Sequence, residues 1–389
     1  MVRQWSSRER MLAAIGHQQA DHIPLWFNWQ NGPTQILTWS SMVERVERVL
    51  EMGLDDTMVI GAPHSVHPDV TSRVWVDHPA LSRYPLIHKE WYTPAGTLRQ
   101  VVQKTEDWGE RDDVGVTGDL NVPRSLEFPL KGEEDLQKLD YLFQPPTAEQ
   151  LARFREALGR MKALDRRRGV LIEGGWVCMG DVPFWLLGAQ GLIMAQADRP
   201  ELMQALLDRV DSWENASIEI LLDVGVDIIT QRAWYETTDF WGVSGYRRFL
   251  KSRLKKRVER VHAAGARFSY ICTTGLKPRL GDLLEVGIDI LWGVDPVQDT
   301  TADLPHFKRV ASGKLCLLGG VNAQVTLVEG AEEEIRAEVR RACRILGPGG
   351  GFILAPIDNI YEYTPRAHLE ALIDEWRRVR DYPTAGALA

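Results

Sequence analysis

The sequence lacks the features of a membrane-spanning, secreted or disulfide-stabilised protein. No apolar run approaches the length of about 18 residues that a membrane-spanning helix needs. The polar N-terminal stretch, residues 1–19, has no apolar core of the kind that signal peptides carry. The four cysteines, Cys178, Cys272, Cys316 and Cys343, are too few and too widely separated for a disulfide framework. We therefore expect a protein of the reducing cytoplasm with no membrane segment.

The sequence also lacks an excess of positive charge. Its formal net charge is -8, with 54 acidic and 46 basic residues. This balance disfavours a nucleic-acid partner or an anionic membrane surface. In contrast, 44% of the 389 residues are hydrophobic, which allows a large core, and 14 are tryptophans that can pack in a core or line an aromatic pocket. The acidic balance is typical of a soluble cytoplasmic enzyme.

Short apolar segments alternate with amphipathic ones along the chain, which is typical of βα units and a parallel sheet. The predicted strands are Ile23–Phe27, Thr57–Gly61, Gly169–Gly174, Val226–Thr230, Arg267–Cys272, Ile288–Trp292, Lys314–Leu318 and Gly351–Ala355. The clearest predicted helices are Pro200–Val224, Ser244–Ala264, Lys277–Glu285 and Glu332–Leu346. Eight strands with intervening helices predict the α/β class and a closed (β/α)8 TIM barrel, and an open doubly wound sheet is the alternative.

One stretch, residues 62 to about 167, is too long for a single βα connection. It contains Trp91–Leu98, in which Pro94–Gly96 predicts the turn of a β-hairpin between extended residues. We interpret the stretch as an insertion at the barrel mouth, within a single domain over residues 1–389.

Chemistry in such barrels takes place at the carboxyl ends of the strands. Polar and aromatic residues predicted at these ends are Asn28, Gln30, His64, His67, Glu173, Trp176, Cys178, Arg232, Glu236, Tyr270, Cys272, Trp292, Asp295, Asn322 and Asp358. These side chains are the candidates for a functional site.

Several stretches, in their order along nearly the whole chain, resemble the uroporphyrinogen decarboxylase superfamily. They are Arg8–Met11, Asp21–Pro24, Tyr92–Thr97, Gly225–Asp227, Tyr246–Phe249, His262–Gly265, Gly287–Asp289, Leu318–Ala323, Glu333–Ile335, Gly350–Ala355 and Tyr363–Pro365. The resemblance implies a (β/α)8 barrel and an enzyme. Members of this superfamily often form homodimers, so a homodimer is a further expectation.

The resemblance is closer to the methyltransferase-type branch than to true uroporphyrinogen decarboxylases. Those decarboxylases bind a polycarboxylate tetrapyrrole through arginines in the loop after the first strand, where this chain has residues 27–33 and no arginine. In the methyltransferase-type branch, zinc is held by a His-x-Cys pair and a later cysteine. The corresponding residues here are Tyr270, Cys272 and Asp358.

The resemblance and the predicted positions together suggest roles for individual residues. Glu236, Tyr270 and Asp358 are the candidate catalytic residues, and Cys272, Asp358 and Glu236 are the candidate ligands of a zinc ion. The candidate substrate-binding residues are Asn28, Gln30, Trp176, Arg232 and Trp292. For each residue the alternative is a structural one, such as packing for Cys272 and Tyr270.

We hypothesise a methyltransferase or demethylase that moves a methyl group between a small, for example aromatic, substrate and a corrinoid held by a partner protein. One alternative is a metal-free carboxy-lyase, in which Glu236 and Asp358 perform acid–base chemistry and Arg232 holds the substrate carboxylate. A second alternative is a barrel that binds a ligand without catalysis.

Overall fold

The computed structural model describes residues 5–29 and 32–382 of the chain. In these ranges the strands are β1 (Thr57–Ile60), β2 (Thr71–Asp77), β3 (Leu86–Thr93), β4 (Gly96–Gln103), β5 (Ser125–Glu127), β6 (Leu171–Cys178), β7 (Ile228–Arg232), β8 (Arg267–Ile271), β9 (Ile290–Val294), β10 (Cys316–Asn322) and β11 (Phe352–Ile357). Strands β1, β6, β7, β8, β9, β10 and β11 form one parallel sheet in that order. The prediction of an α/β fold with a parallel sheet is therefore confirmed.

Helices follow most of these parallel strands and cover the sheet. They are α1 (Ser7–Ile15), α2 (Met42–Glu51), α3 (Leu136–Leu142), α4 (Ala148–Arg168), α5 (Asp181–Asp198), α6 (Pro200–Asp223), α7 (Thr238–Gly245), α8 (Lys251–Ala263), α9 (Leu280–Val286), α10 (Leu304–Ala311), α11 (Glu332–Leu346) and α12 (Arg366–Val379). A π-helical turn at Tyr246–Leu250 joins α7 to α8, so the helix predicted over Ser244–Ala264 is interrupted near its start. Within the described ranges, none of the helices has the length and apolar character that crossing a membrane requires.

The first predicted strand, Ile23–Phe27, is reduced to two isolated bridges. Leu25 pairs with Leu354 of β11, and Trp26 pairs with Asp55 immediately before β1, both in parallel. A longer ladder is prevented because Pro24 has no N–H to donate and the N–H of Leu25 is taken by the Asp55 carboxylate at 3.2 Å. The expected sheet of eight full strands is thus a curled sheet of seven, and this short segment contacts both of its edge regions.

Side chains of the parallel strands alternate between two faces of the sheet, as the period of a strand requires. One face forms an inner apolar cluster, into which Met11 and Ile15 of α1 also pack. The other face packs against the helices. On β8, Ile271 belongs to the inner cluster, whereas Tyr270 and the following Cys272 belong to the helix-facing core. This alternation determines which of the predicted site residues can reach a central cleft.

The long stretch between β1 and β6 carries a four-stranded antiparallel sheet in the order β2-β3-β4-β5. Strands β3 and β4 form the predicted hairpin, with Thr93 opposite Gly96 and the turn at Pro94 and Ala95. A small apolar cluster that includes Ile87 and Trp108 packs within this part of the chain. The prediction of an inserted hairpin is confirmed.

Breaking the ion pair between Arg10 and Asp55 is expected to destabilise the fold. The two charged groups are 2.7 Å apart, Asp55 is fully buried, and its carboxylate also accepts the N–H of Leu25. Asp55→Ala would leave the Arg10 guanidinium with Asp21 as its remaining carboxylate partner and the buried N–H of Leu25 without this acceptor, and should lower the free energy of unfolding by about 1–3 kcal/mol. Denaturant unfolding measures this change, with Asp374→Ala on the exposed side of α12 as a control expected to stay within about 0.5 kcal/mol. Wild-type stability in Asp55→Ala would contradict this account of the first segment.

Candidate active site

A cleft of about 480 Å³ lies at the carboxyl ends of the parallel strands. Its lining residues come from β7, from the loops that follow β7, β8, β9 and β11, from the start of α7, and from the insertion. They are Asp119, Arg232, Trp234, Tyr235, Thr237, Asp239, Phe240, Thr273, Thr274, Gln298, Asp358, Asn359 and Tyr361. The cleft therefore has aromatic walls and contains three carboxyl groups and one guanidinium, and its volume is in the range of small-molecule sites.

Arg232, a predicted substrate-binding residue, lies at the end of β7 and is already paired with two carboxylates. One guanidinium nitrogen donates to both oxygens of Asp119 at 2.6 Å, and the other donates to Asp181. Burial works against the charged form of Arg232, but the two carboxylates outweigh it and raise its pKa. The guanidinium also lies over the rings of Trp185 and Trp234, at 4.9 and 4.6 Å. Its charge is therefore compensated within the protein.

Asp358, a predicted catalytic residue, follows β11 and lines the same cleft. Burial raises the pKa of its carboxyl to about 6; Arg232 opposes this increase, and Asp119 and Asp295 add to it. Asn359 donates to Asp358 at 3.0 Å and accepts a hydrogen bond from the buried Asn28 at 2.5 Å. Asn28, predicted to bind substrate, thus supports Asp358 through Asn359. Near neutral pH this carboxyl group can exchange a proton with a ligand.

Four tryptophans form a connected group inside the sheet beneath the cleft. Trp26 meets Trp292 at 4.8 Å, Trp292 meets Trp176 at 6.1 Å, and Trp176 meets Trp234 at 5.2 Å, all close to edge-on. Trp234 lines the cleft, whereas the predicted substrate-binding residues Trp176 and Trp292 lie behind it. Within the described ranges, the buried indole N–H groups of Trp176 and Trp234 have no hydrogen-bond partner.

Three other predicted site residues lie behind the cleft wall, between the sheet and its helices. Glu236, Tyr270 and Cys272 are fully buried, and the cleft lining does not include them. The Glu236 carboxylate accepts from the Tyr270 hydroxyl at 2.6 Å, from the Gly180 N–H at 2.8 Å and from Gln231 at 3.1 Å. Tyr270 and Cys272 do share one face of the strand, as predicted, but it is the helix-facing one. Their placement at the barrel mouth is therefore corrected.

Burial also shifts the proton affinities of this second group. It raises the pKa of Glu236 to about 7. The negative charge of Asp181 adds to this increase, whereas the hydrogen bonds from Tyr270 and Gly180 oppose it. Burial raises the pKa of the Tyr270 hydroxyl well above its usual value, and Glu236 adds to this effect. The pKa of the Cys272 thiol is also raised by burial, although the neighbouring Arg279 opposes the increase. The thiol therefore remains in its neutral form near neutral pH.

The candidate metal ligands Cys272, Asp358 and Glu236 do not form a joint site. Asp358 lines the cleft, whereas Cys272 and Glu236 lie behind its wall. The sulfur of Cys272 accepts a hydrogen bond from Arg279 at 2.9 Å. The guanidinium therefore occupies the position beside the sulfur that a bound metal ion would need. Over residues 5–29 and 32–382, no group of three or more histidine, cysteine, aspartate or glutamate side chains is arranged to hold a metal ion. The residues present therefore do not fit the zinc site that the resemblance implied.

The remaining candidates lie elsewhere in the structure. Gln30 falls outside the described residues. His64 packs on Trp213 and His67 on Tyr141, away from the cleft. The other four are buried: Glu173, Cys178, Asp295 and Asn322. Glu173 accepts hydrogen bonds from two threonine hydroxyls, and Asp295 accepts one from Asn322.

Sequence reasoning missed several residues of the cleft and its wall. Asp119 lies in the insertion, 113 residues before its partner Arg232, and no local pattern indicates that contact. Asn359 could have been found, because it follows the predicted strand Gly351–Ala355 closely. Asp181 lies farther from the predicted end at Gly174, because β6 continues to Cys178. Arg279 lies in a turn before α9 that carries no catalytic pattern, so its burial beside Cys272 becomes visible only in the fold.

Comparison with known proteins connects this chain to a family. The model of the uroporphyrinogen decarboxylase (URO-D) family matches residues 119–379. The chain is 24% identical over 188 residues to the methylcobamide:CoM methyltransferase MtaA of Methanosarcina barkeri, covering 48% of this chain and 52% of the relative. It is 29% identical over 192 residues to the uroporphyrinogen decarboxylase of Burkholderia mallei (strain SAVP1), covering 46% of this chain and 48% of the relative. The matches thus span about half the length of these curated relatives.

A solved structure resembles nearly the whole chain. It is a methyltransferase from Methanosarcina mazei, with a TM-score of 0.57 and 18% sequence identity over 96% of this chain and 99% of the neighbour. At this identity the likeness supports a shared fold. Function has to be argued from the residues of the cleft.

Glu236 is expected to make the fold less stable as the pH rises. Its pKa is raised from 4.5 to about 7, so the stabilisation it contributes is fully present below about 4.5 and is lost as the pH rises through about 7. Glu236→Gln keeps the shape of the side chain and removes this titration. Between about pH 5 and pH 8, the unfolding free energy of the wild type should therefore fall relative to that of Glu236→Gln by about 2–3 kcal/mol. Denaturant titrations at both pH values measure this difference.

The matched control is Glu370→Gln, at an exposed position of α12. Its stability relative to the wild type should change little over the same interval. An equal pH dependence in the wild type and Glu236→Gln would show that the Glu236 carboxyl does not titrate in this range.

Proposed function

Because the chain belongs to the uroporphyrinogen decarboxylase (URO-D) family, we propose that it is an enzyme that removes a methyl group from a small aromatic methyl ether and passes it to a corrinoid on a partner protein. The family match over residues 119–379 and the similarity to a methylcobamide:CoM methyltransferase support an enzyme of this type. The observation that carries the proposal is Asp358, a carboxyl group with a pKa of about 6 that lines a cleft with aromatic walls.

The chemistry of the cleft suits an ether substrate. When the bond between oxygen and methyl breaks, the departing oxygen gains negative charge and needs a proton. Asp358 is positioned to donate it, because its raised pKa keeps part of the population protonated near neutral pH. Aromatic walls such as Trp234 and Phe240 would hold the ring.

The corrinoid, presented by the partner protein at the mouth of the cleft, would supply the nucleophile that accepts the methyl group. A cleft of about 480 Å³ accommodates a small substrate but is too small to enclose a corrinoid. The residues of this chain would therefore bind and orient the ether, shield it from water and protonate its oxygen.

The alternative, a carboxy-lyase, has less support from the cleft. To bind a substrate carboxylate, the cleft needs a cation that is not already neutralised by other residues. Arg232 is already paired with Asp181 and Asp119. Glu236, the second acid–base group of that hypothesis, lies behind the cleft wall. A cleft with three carboxyl groups and one guanidinium would also repel an acidic substrate.

The wider setting of the enzyme is part of the proposal. We take the seven-stranded sheet and the bridging segment at Leu25 and Trp26 as a (β/α)8 barrel whose first strand is shortened. The insertion over residues 62 to about 167 would then belong to the same single domain, since its Asp119 reaches into the cleft. A cytoplasmic location agrees with four cysteines that are all free thiols. A homodimer remains an expectation.

Replacing Asp358 should abolish most of the methyl transfer. Purified protein would be incubated with chemically reduced cobalamin, as a substitute for the partner's corrinoid, and a panel of methoxylated phenols. Methylcobalamin and the demethylated phenol should appear in equal amounts. Asp358→Asn keeps the shape of the side chain but cannot donate this proton, so its rate should fall by about 10²- to 10⁴-fold. In the wild type, the rate should decline as the pH rises through about 6, because the reactive form is the protonated one.

Asp374→Asn, at an exposed position of α12, is the control and should keep the wild-type rate. Full activity in Asp358→Asn would exclude the role given to this residue. Release of carbon dioxide from aromatic acids, without methyl transfer from any ether, would favour the carboxy-lyase.

A further inference from the structure

The thiol of Cys272, where the resemblance implied a zinc ligand, already has a cationic neighbour. Arg279 donates from one guanidinium nitrogen to the Cys272 sulfur at 2.9 Å, and its side chain is fully buried. We infer that Arg279 takes the place of a metal ion beside Cys272, so that this pocket is metal-free and is held together by a guanidinium. Its residues serve to position the cleft wall.

The contacts of Arg279 join three segments of the chain. Besides the Cys272 sulfur, it donates to the backbone carbonyl of Glu236 at 2.5 Å and to that of Gly275 at 3.3 Å. The guanidinium also lies 5.0 Å from the ring centre of Tyr246. It thereby connects the end of β8 with the loop after β7 and with the turn before α9. A tetrahedral metal site would bind side-chain donors, whereas these contacts are mainly to backbone carbonyls, which suit a guanidinium.

The other side chains expected as ligands have different partners. Both oxygens of the Glu236 carboxylate accept hydrogen bonds, from Tyr270, Gly180 and Gln231. A zinc ion at Cys272 would also lie next to the buried charge of Arg279, where weak screening makes the repulsion between cations strong. Zinc could therefore bind only if Arg279 moved away.

The position of Arg279 also gives it a task in the proposed function, on which this step rests. The loop that it fastens at Glu236 contributes Trp234, Tyr235 and Thr237 to the cleft lining. Asp181 fastens the same loop from the other side by accepting the N–H of Tyr235 at 2.8 Å. Arg279 is thus a positioning residue. Without zinc in this pocket, no metal-bound thiol accepts the methyl group there. In the proposed function, Asp358 then activates the substrate as the proton donor.

Elemental analysis after zinc reconstitution tests the inference. Wild-type protein and Cys272→Ser would each be incubated with excess zinc, desalted and analysed by mass spectrometry of the metal. We expect less than about 0.1 zinc per chain that depends on Cys272. Zinc bound equally by both proteins would lie elsewhere and would agree with the inference. About one zinc per chain in the wild type, lost in Cys272→Ser, would overturn it.

A second pair of variants tests the positioning role. Arg279→Met fills a similar volume without charge, and Arg279→Lys keeps the charge with a smaller set of donors. Acrylamide quenching of tryptophan fluorescence should increase in Arg279→Met because Trp234 loses its fastening, and Arg279→Lys should restore part of the protection. Unchanged quenching in a folded Arg279→Met protein would contradict the positioning role. If that variant does not fold, quenching in Arg279→Lys should still exceed that of the wild type.

These readouts are independent of methyl transfer. Zinc-free protein that transfers no methyl group would contradict the proposed function and leave this inference standing. Zinc bound through Cys272 in a protein that does transfer methyl groups would contradict this inference and leave the proposed function standing.

Discussion

The guanidinium of Arg232 is buried at the end of a central strand, where a single uncompensated charge would be costly. Asp181, at the start of α5, and Asp119, from the insertion, supply that compensation and bring two distant parts of the chain to one point. The same arrangement sets the character of the cleft. Because the positive charge is paired within the protein, the lining that remains is aromatic and acidic, and Asp358 keeps a raised pKa although an arginine lies nearby. The proposal of an ether substrate over an acidic one depends on this pairing.

Two buried arginines thus support the cleft. Arg232 lies in its lining and is neutralised by carboxylates, whereas Arg279 lies behind the wall and binds mainly backbone carbonyls and a sulfur. Between them lies the loop after β7, which contributes residues both to the cleft and to the pocket behind it. Trp234 and Tyr235 face the cleft, and the Glu236 carboxylate points away from it toward Tyr270. The position of this loop therefore depends on hydrogen bonds to Tyr270 and Arg279, which lie outside the cleft lining.

Much of the fold can be predicted from the sequence, because the spacing of apolar residues indicates which side chains are buried. Seven predicted strands and the hairpin turn at Pro94 and Ala95 agree with the structure. The first strand does not, since the lack of an N–H in Pro24 and the competing carboxylate of Asp55 leave only two bridges. The candidate site was less predictable. The rule that site residues follow the ends of strands correctly predicted Arg232 and Asp358 in the cleft. The same rule wrongly predicted Tyr270 and Cys272 there. It does not specify which face of the sheet a residue at a strand end occupies. The contact of Asp119 depends on tertiary structure alone.

Burial makes Asp358 a weak carboxylic acid, and Arg232, which is already paired with Asp119 and Asp181, opposes this effect without cancelling it. Its titration can be followed directly by carbon-13 NMR of aspartate-labelled protein, with the signal assigned through Asp358→Asn. The account predicts a midpoint near pH 6. In Asp119→Asn the midpoint should be lower, because one negative neighbour is removed and the charge of Arg232 is less compensated. A midpoint near the ordinary value of 3.8, unchanged in Asp119→Asn, would contradict the account.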